Sequence, residues 1–353
     1  MASFNSVQIK NIVKETPQAV TLFFNIPDSL KPEYKFLAGQ YLTIETPIGG
    51  ENIRRDYSLC STPFSGDIAV TVKRVENGKF SNYANSSLKT GDLINISYPK
   101  GKFVLDHYNQ SAKTIFAFAA GSGITPIISI IKTALEKNLN TNCVLLYGNK
   151  SPETTIFHDE LKKLEQLYSN RFKLQLVFSQ TKISNSISGR IDSANAANFL
   201  KNISSEQKKS SVFYLCGPEQ MILNVKEALL ENGIDKENIL FELFTASSSL
   251  KNQSKMVLQK GLSEATILFD DLSENIIIKN DQTILDAALA KDIEVPYSCQ
   301  GGVCSSCICK IKEGSAEMKQ NSVLTDKEVK EGFVLSCMAV PTSAKLIVDF
   351  DDV

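Results

Sequence analysis

The stretch Pro296-Tyr297-Ser298-Cys299-Gln300-Gly301-Gly302-Val303-Cys304-Ser305-Ser306-Cys307 carries three cysteines in a C-x4-C-x2-C run, and a fourth, Cys337, follows inside Val334-Leu335-Ser336-Cys337. This is a ligand spacing for a [2Fe–2S] cluster, in which four thiolates hold two irons. Such a cluster needs a tightly wrapped loop. Gly301 and Gly302 permit backbone conformations closed to residues with a Cβ, so that amide N–H groups turn toward the sulfurs. Zinc is the rival metal, but structural zinc sites usually pair two C-x2-C knuckles, and only one such pair is present. Disulfides are disfavoured because the chain reads as cytosolic, where thiols stay reduced. Cys309 has no place in the ligand pattern and reads as a small buried hydrophobe.

The rest of the chain must explain why a cluster is needed. Its 353 residues suggest two or three domains. At 42% hydrophobic and 22% charged it has the composition of a globular protein rather than a disordered or fibrous one. No apolar run reaches the length of a membrane span. Met1-Ala2-Ser3-Phe4-Asn5 has neither the basic nor the apolar region of a signal peptide, so the expected address is the cytoplasm, with no membrane partner. Charge is unevenly placed. From Glu264 to Val353 eight lysines face sixteen acidic residues, a net of −8, and the total of −1 leaves +7 elsewhere. An acidic carrier on a basic body suggests docking steered by charge; two plainly solvated surfaces would have the same composition. Nucleic-acid binding is not expected, since no basic cluster or aromatic platform occurs. The two histidines, His107 and His158, are too far apart to form a local motif.

Before about Asp106 the chain reads as short strands with turn signals: Ser6–Lys14, Ala19–Asn25, Gln40–Glu45, Asp67–Arg74 and Asp92–Tyr98, with a helix over Ser81–Leu88. Strands at that spacing predict a small antiparallel β-barrel. In Arg54-Arg55-Asp56-Tyr57-Ser58, an Arg and a Tyr two apart on a strand project to one face. There the guanidinium of Arg55 can fork onto a phosphate while Tyr57 stacks on a ring; a plain surface pair would look the same. Gly78-Lys79-Phe80-Ser81 is a glycine turn opening a helix, which suits a pyrophosphate on free N–H groups.

From Lys113 the pattern changes to alternating strands and helices. Strands are expected at Thr114–Ala119, Cys143–Tyr147, Lys173–Phe178, Val212–Cys216 and Ile239–Leu243, and helices at Pro126–Lys137, Ile156–Ser169, Ser193–Leu200 and Glu219–Asn232. This predicts a doubly wound α/β sheet that binds its ligand at the carboxyl ends of the strands. The first strand runs into Gly121-Ser122-Gly123-Ile124-Thr125-Pro126, where two glycines allow close backbone approach, Thr125 is a candidate N-cap and Pro126 suits the first helical position. A phosphate-accepting helix start and an ordinary strand–helix turn both fit. The fourth strand ends in Cys216-Gly217-Pro218, and the fifth runs into Glu242-Leu243-Phe244. Thr245–Gly261 is Ser- and Lys-rich and reads as a linker. Beyond it come strands near Ala265–Phe269 and Ile276–Lys279 about a turn at Asp270–Asn275, a helix over Thr283–Ala290, and a last strand at Ala344–Phe350, an α+β β-grasp order.

Taken together, these motifs resemble the ferredoxin–NADP reductase superfamily followed by a plant-type ferredoxin domain. Arg55, Tyr57 and Ser58 match its R-x-Y-S motif, Gly78 and Ser81 its G-x-x-S motif, Gly121 through Pro126 its G-[ST]-G-I-T-P motif, and Cys216-Gly217-Pro218 its C-G-P motif. The resemblance implies three domains: an FAD-binding barrel over 1–108, an NAD(P)-binding domain over 109–247, and, after a linker at 248–263, a ferredoxin domain over 264–353. It implies FAD in preference to FMN, held by Arg55, Tyr57 and the turn from Gly78 through Lys79 and Phe80 to Ser81. It places Ser58, Thr125, Cys216 and Glu242 at the hydride site, with Phe244 following, and Gly121, Gly123, Gly217 and Pro218 against the nucleotide. The cluster falls to Cys299, Cys304, Cys307 and Cys337. Lys150 and Arg190 are the cations available to a 2′-phosphate, which favours NADPH over NADH although Gln180 stands where an arginine is common. The implied activity is NAD(P)H oxidation with electrons passed to an oxygenase. A non-enzymatic iron–sulfur sensor is the competing class, and the complete nucleotide-binding pattern argues against it.

Overall fold

The computed structural model describes residues 4–105, 113–137, 140–201, 203–244, 262–269, 272–279, 281–293, 295–297 and 299–353. The expected linker at Thr245–Gly261 lies outside these residues, as does His107. The chain divides into two compact units, Phe4–Glu242 and the part from Leu243 onward.

The first unit opens with β1 (Phe4–Thr16), β2 (Ala19–Asn25), β3 (Tyr41–Ile48), β4 (Glu51–Ser58), β5 (Ile68–Lys73), α1 (Lys79–Ser86) and β6 (Leu93–Ser97). The strands form one antiparallel sheet in the order β4-β3-β6-β1-β2-β5. A bridge between Leu59 and Val70 joins the two ends of that order and closes the barrel. Why β2 lacks polar–apolar alternation is visible in its packing. Val20, Leu22 and Phe24 fill the barrel, while Ala19 and Phe23 join a second core shared with the α/β half.

That half contains β7 (Thr114–Ala120), α2 (Ile124–Lys137), β8 (Asn142–Asn149), α3 (His158–Leu167), β9 (Phe172–Phe178), β10 (Ile187–Ser188), α4 (Ser193–Leu200), α5 (Ser205–Lys209), β11 (Ser211–Gly217), α6 (Glu219–Glu231) and β12 (Ile239–Leu243). Its sheet order is β10-β9-β8-β7-β11-β12, with the β10–β9, β9–β8, β8–β7 and β7–β11 pairs all parallel. The order reverses between β7 and β11, so the crevice for a ligand opens at their carboxyl ends. The expected capping by Thr125 is corrected. Gly121–Gly123 form a 3-10 turn that runs straight into α2 at Ile124, and Thr125 is already inside the helix, buried, donating to the Ser122 carbonyl at 3.1 Å. The two sheets share polar contacts too. Ser129 Oγ donates to the Ser61 carbonyl at 2.6 Å, and Tyr214 OH donates to that of Val104 at 2.8 Å.

The second unit contains β13 (Ser263–Phe269), β14 (Leu272–Ile278), α7 (Ile284–Leu289), β15 (Ile308–Glu313), β16 (Ala316–Met318), α8 (Asp326–Lys330), β17 (Phe333–Leu335), β18 (Ala339–Pro341) and β19 (Lys345–Asp349). Its mixed sheet runs β14-β13-β19-β15-β17, beside a small β16–β18 pair. The expected turn over Asp270–Asn275 is too long. Ser273, Glu274 and Asn275 pair with Leu268, Ile267 and Thr266, and their polarity reflects an edge strand facing water. Thr283 caps α7, its Oγ1 accepting from the Asp286 N–H at 3.1 Å. Ile267, Ile278, Leu285, Leu346 and Val348 form the centre of this core.

Candidate active site and cluster-binding loop

At the switch point the two sheets of the first unit bring distant motifs together. Ser58, the last residue of β4, donates from Oγ to Glu242 Oε2 at 3.2 Å, across 184 residues of chain. Cys216, at the end of β11, is fully buried and close enough to feel the Glu242 charge. Loss of water raises the Glu242 carboxyl to about 8, the Ser58 hydrogen bond opposing and the Asp56 charge adding to the shift. The residue keeps part of its surface, so enclosure of the carboxyl rather than of the whole side chain sets this value. Burial pushes the Cys216 thiol upward as well, with Glu242 adding to it. At neutral pH the pair is therefore an uncharged acid beside an uncharged thiol.

Glycines set the approach of β7 to β11. A methyl group on Gly123 would lie 2.1 Å from the Cys216 carbonyl oxygen and 2.8 Å from the Gly217 nitrogen. One on Gly217 would lie 3.1 Å from the Ala120 nitrogen. Gly121 takes the left-handed conformation, φ +56°, and the space beside it holds the Lys73 ammonium. Lys73 loses basicity through burial first and the neighbouring charge of Lys150 second. Sequence reading missed Lys73; its position at the end of β5, ahead of the Gly78 turn, was the available signal.

On the barrel, Arg54 is committed to an ion pair with Glu45, while Arg55 is exposed and spends one N–H on the Arg54 carbonyl. Tyr57 packs on Phe80 with ring centroids 5.4 Å apart. The α1 turn is less free than its sequence suggests. Lys79 pairs with Glu51, Phe80 is a core residue, and the Ser81 hydroxyl accepts from the Val75 N–H at 3.1 Å. Gly78 caps α1 without a side-chain hydrogen bond, so an anion there would meet backbone N–H groups rather than these side chains.

Lys150 and Arg190 are both exposed and follow β8 and β10. Gln180 N–H donates to the Lys150 carbonyl at 3.0 Å, and Gly189 N–H to that of Phe178 at 2.8 Å, which draws the three strand ends together. Two polar atoms there are buried with no partner, Asn149 Nδ2 and Thr181 Oγ1. Phe244 is exposed at the last described position before residue 262.

In the second unit the four cysteines gather as two pairs. Cys299 and Cys304 sulfurs are 3.1 Å apart, and those of Cys307 and Cys337 are 3.3 Å apart. Two thiolates on one tetrahedral metal with bonds near 2.3 Å stand about 3.8 Å apart, so a few tenths of an ångström admit one iron to each pair. Backbone N–H groups converge on the sulfurs, from Gly301 and Val303 to Cys299, from Gly302 to Cys337, and from Cys337 to Cys307. Gly302 has φ +70°, and a methyl on it would meet Met338 Cγ at 2.8 Å. The donor set thus fits a two-iron cluster. Cys309 is fully buried in β15 opposite Val334.

Comparison with known proteins agrees with this architecture. Family models described as an oxidoreductase FAD-binding domain, an oxidoreductase NAD-binding domain and a 2Fe-2S iron-sulfur cluster binding domain match residues 6–105, 118–227 and 269–342. The chain is 34% identical to one of the subunits of 1,2-phenylacetyl-CoA epoxidase from Escherichia coli K12, covering 99% of each chain. It is 32% identical to the ferredoxin reductase component of 3-ketosteroid-9-alpha-monooxygenase from Rhodococcus rhodochrous, covering 97% of this chain and 95% of that one. Phthalate dioxygenase reductase shares the fold, with a TM-score of 0.63 at 24% identity over 98% of both chains. No helix among the described residues is long and apolar enough to cross a membrane. The protein belongs to the ferredoxin–NADP reductase-type oxidoreductases that join FAD-binding, NAD-binding and [2Fe–2S] domains in one chain, a family that includes the electron-transfer components of oxygenases.

Proposed function

We propose that the protein oxidises NADPH and delivers the electrons one at a time to an oxygenase in the cytoplasm, with phenylacetyl-CoA epoxidase as the first candidate partner. The observation that carries this reading is the meeting of Ser58, Cys216 and Glu242, which links the barrel to the crevice of the parallel sheet. Bound FAD would supply hydride acceptance from the nicotinamide, and a bound cluster would supply one-electron transfer onward. Arg55 would hold the flavin phosphate and Tyr57 its ring, and the backbone N–H groups at Gly78 and the start of α1 would receive the pyrophosphate, with Lys79, Phe80 and Ser81 fixing that turn. Ser58 and Glu242 hold the reacting face, and Glu242 keeps its proton there at neutral pH. Gly121, Gly123, Gly217 and Pro218 let the dinucleotide backbone lie close, while Thr125 braces the loop through Ser122. Cys216 fills the space beside the nicotinamide as an uncharged thiol. Cys299, Cys304, Cys307 and Cys337 would bind the irons.

NADPH is favoured over NADH by the two exposed cations Lys150 and Arg190 beside the orphaned Asn149 and Thr181 atoms, a setting that suits a 2′-phosphate. Steady-state kcat/KM with both nucleotides tests this. NADPH is expected to lead and Arg190→Ala to narrow the gap; a tenfold preference for NADH refutes it. The partner reading rests on full-length identity to the epoxidase component. A different oxygenase is the second reading, supported by nearly equal identity to the ketosteroid monooxygenase reductase. Reconstitution with each purified oxygenase and NADPH separates them, because only the true pairing couples NADPH consumption to oxygenated product.

A further inference from the structure

Ser336 precedes the last cluster cysteine, and every polar group it carries is accounted for except one. Its N–H donates to the Cys307 carbonyl at 2.9 Å, and its carbonyl accepts from the Leu285 N–H at 3.1 Å. Its side chain is 0% exposed, and the hydroxyl oxygen has no hydrogen-bond partner. A buried hydroxyl without a partner is costly, so one left in place invites a reason. The register supplies a neighbour. Ile308 pairs with Leu335 where β15 meets β17, and one step beyond that pair Ser336 lies against Cys307. There the Ser336 side chain stands beside that of Cys307. Backbone N–H groups also reach these sulfurs, and no substitution short of proline removes them.

We propose that Ser336 is a positioning residue that sets the reduction potential of the cluster, its hydroxyl donating to the Cys307 sulfur when iron is bound. This rests on the reading of Cys299, Cys304, Cys307 and Cys337 as ligands. A donor to a ligand sulfur stabilises the reduced cluster, which carries one more negative charge, and so raises the potential.

The test uses the full-length holoprotein. Iron and sulfide content and the visible spectrum are measured first; a wild-type chain without a [2Fe–2S] centre defeats the ligand reading itself. EPR-monitored redox titration then reads the potential. Ser336→Ala is expected to shift the reduction equilibrium about tenfold toward the oxidised cluster, which for one electron is about 59 mV more negative. Ser336→Thr, which keeps the hydroxyl, is expected to stay within twofold of wild type. If loss of the side chain compromises loading in the alanine variant, Ser336→Thr against Ser336→Val repeats the comparison at equal shape. A fully loaded alanine variant within twofold of wild type, or equal potentials for threonine and valine, overturns the proposal.

Discussion

Replacing Gly123 by alanine adds one methyl group where the turn after β7 meets the end of β11. That carbon would stand 2.1 Å from the Cys216 carbonyl oxygen and 2.4 Å from its carbonyl carbon. Ordinary contacts begin near 3.4 Å, so the Cys216–Gly217 backbone must retreat by more than 1 Å. Both neighbours are main chain and no rotamer relieves the clash. Overpacking of this kind costs about 1–3 kcal/mol, which in a unit of this size lowers Tm by about 2–12 °C. The functional cost should be larger. Cys216 moves away from Glu242, and a misplacement near 1 Å in a reacting site costs about 100-fold. The expected result is a fall of about 100-fold in kcat/KM for NADPH with ferricyanide as acceptor, while FAD content is retained because the residues proposed to hold the flavin phosphate lie on the barrel. Gly49→Ala is the control. It has φ +61° but nothing within 4 Å, so it costs stability, about 1–2 kcal/mol, without touching turnover. Wild-type kcat/KM in Gly123→Ala refutes the idea that this contact sets the geometry of the crevice.

Glu242 makes the stability of the apoprotein depend on pH. Its folded pKa is raised from 4.5 to about 8, so the native state holds a proton that the unfolded chain releases; the stabilisation is complete below about 4.5 and lost as pH rises through 8. Thermal unfolding from pH 5 to 9 should show this loss, and Glu242→Gln should flatten it; an unchanged slope in the variant assigns the effect elsewhere. Cys309→Ser should keep the visible and EPR signals of the cluster while losing about 1–3 kcal/mol from an unpaired buried hydroxyl, whereas Cys304→Ser should strip or distort them. A chain ending at Ser247 should retain FAD and reduce ferricyanide with NADPH but fail to support an oxygenase. Flavin loss on that truncation would show that the modules are not separable.

The motifs were legible because each is local. Gly121–Pro126, Cys216–Pro218 and the cysteine run lie within a few residues, and their backbone requirements follow from residue type. Ala19–Asn25, Ser193–Leu200 and Ile239–Leu243 fall where their patterns placed them. What could not be read was anything decided across the chain. Thr125 looks like a cap until Gly121–Gly123 wind into the helix, and Ser273–Asn275 look like a turn until they face water on an edge strand. Glu242 accepts its hydrogen bond from a barrel residue 184 positions away. Lys73 carries no motif of its own and gains meaning only beside Gly121 and Lys150.

The parallel pairing of β13 with β19 has a mechanical consequence. Five pairs, from Glu264 with Lys345 to Leu268 with Asp349, hold these strands side by side in the middle of the sheet. Because both strands run in the same direction, a pull entering before Ser263 and leaving after Asp349 drags one along the other. The hydrogen bonds of that pair are then loaded together in shear, where an antiparallel hairpin such as β13–β14 would open from one end bond by bond. Forced unfolding is governed by the unfolding rate rather than by equilibrium stability. The cysteine-bearing stretch, enclosed in sequence between these two strands, is therefore guarded against being drawn out by its ends.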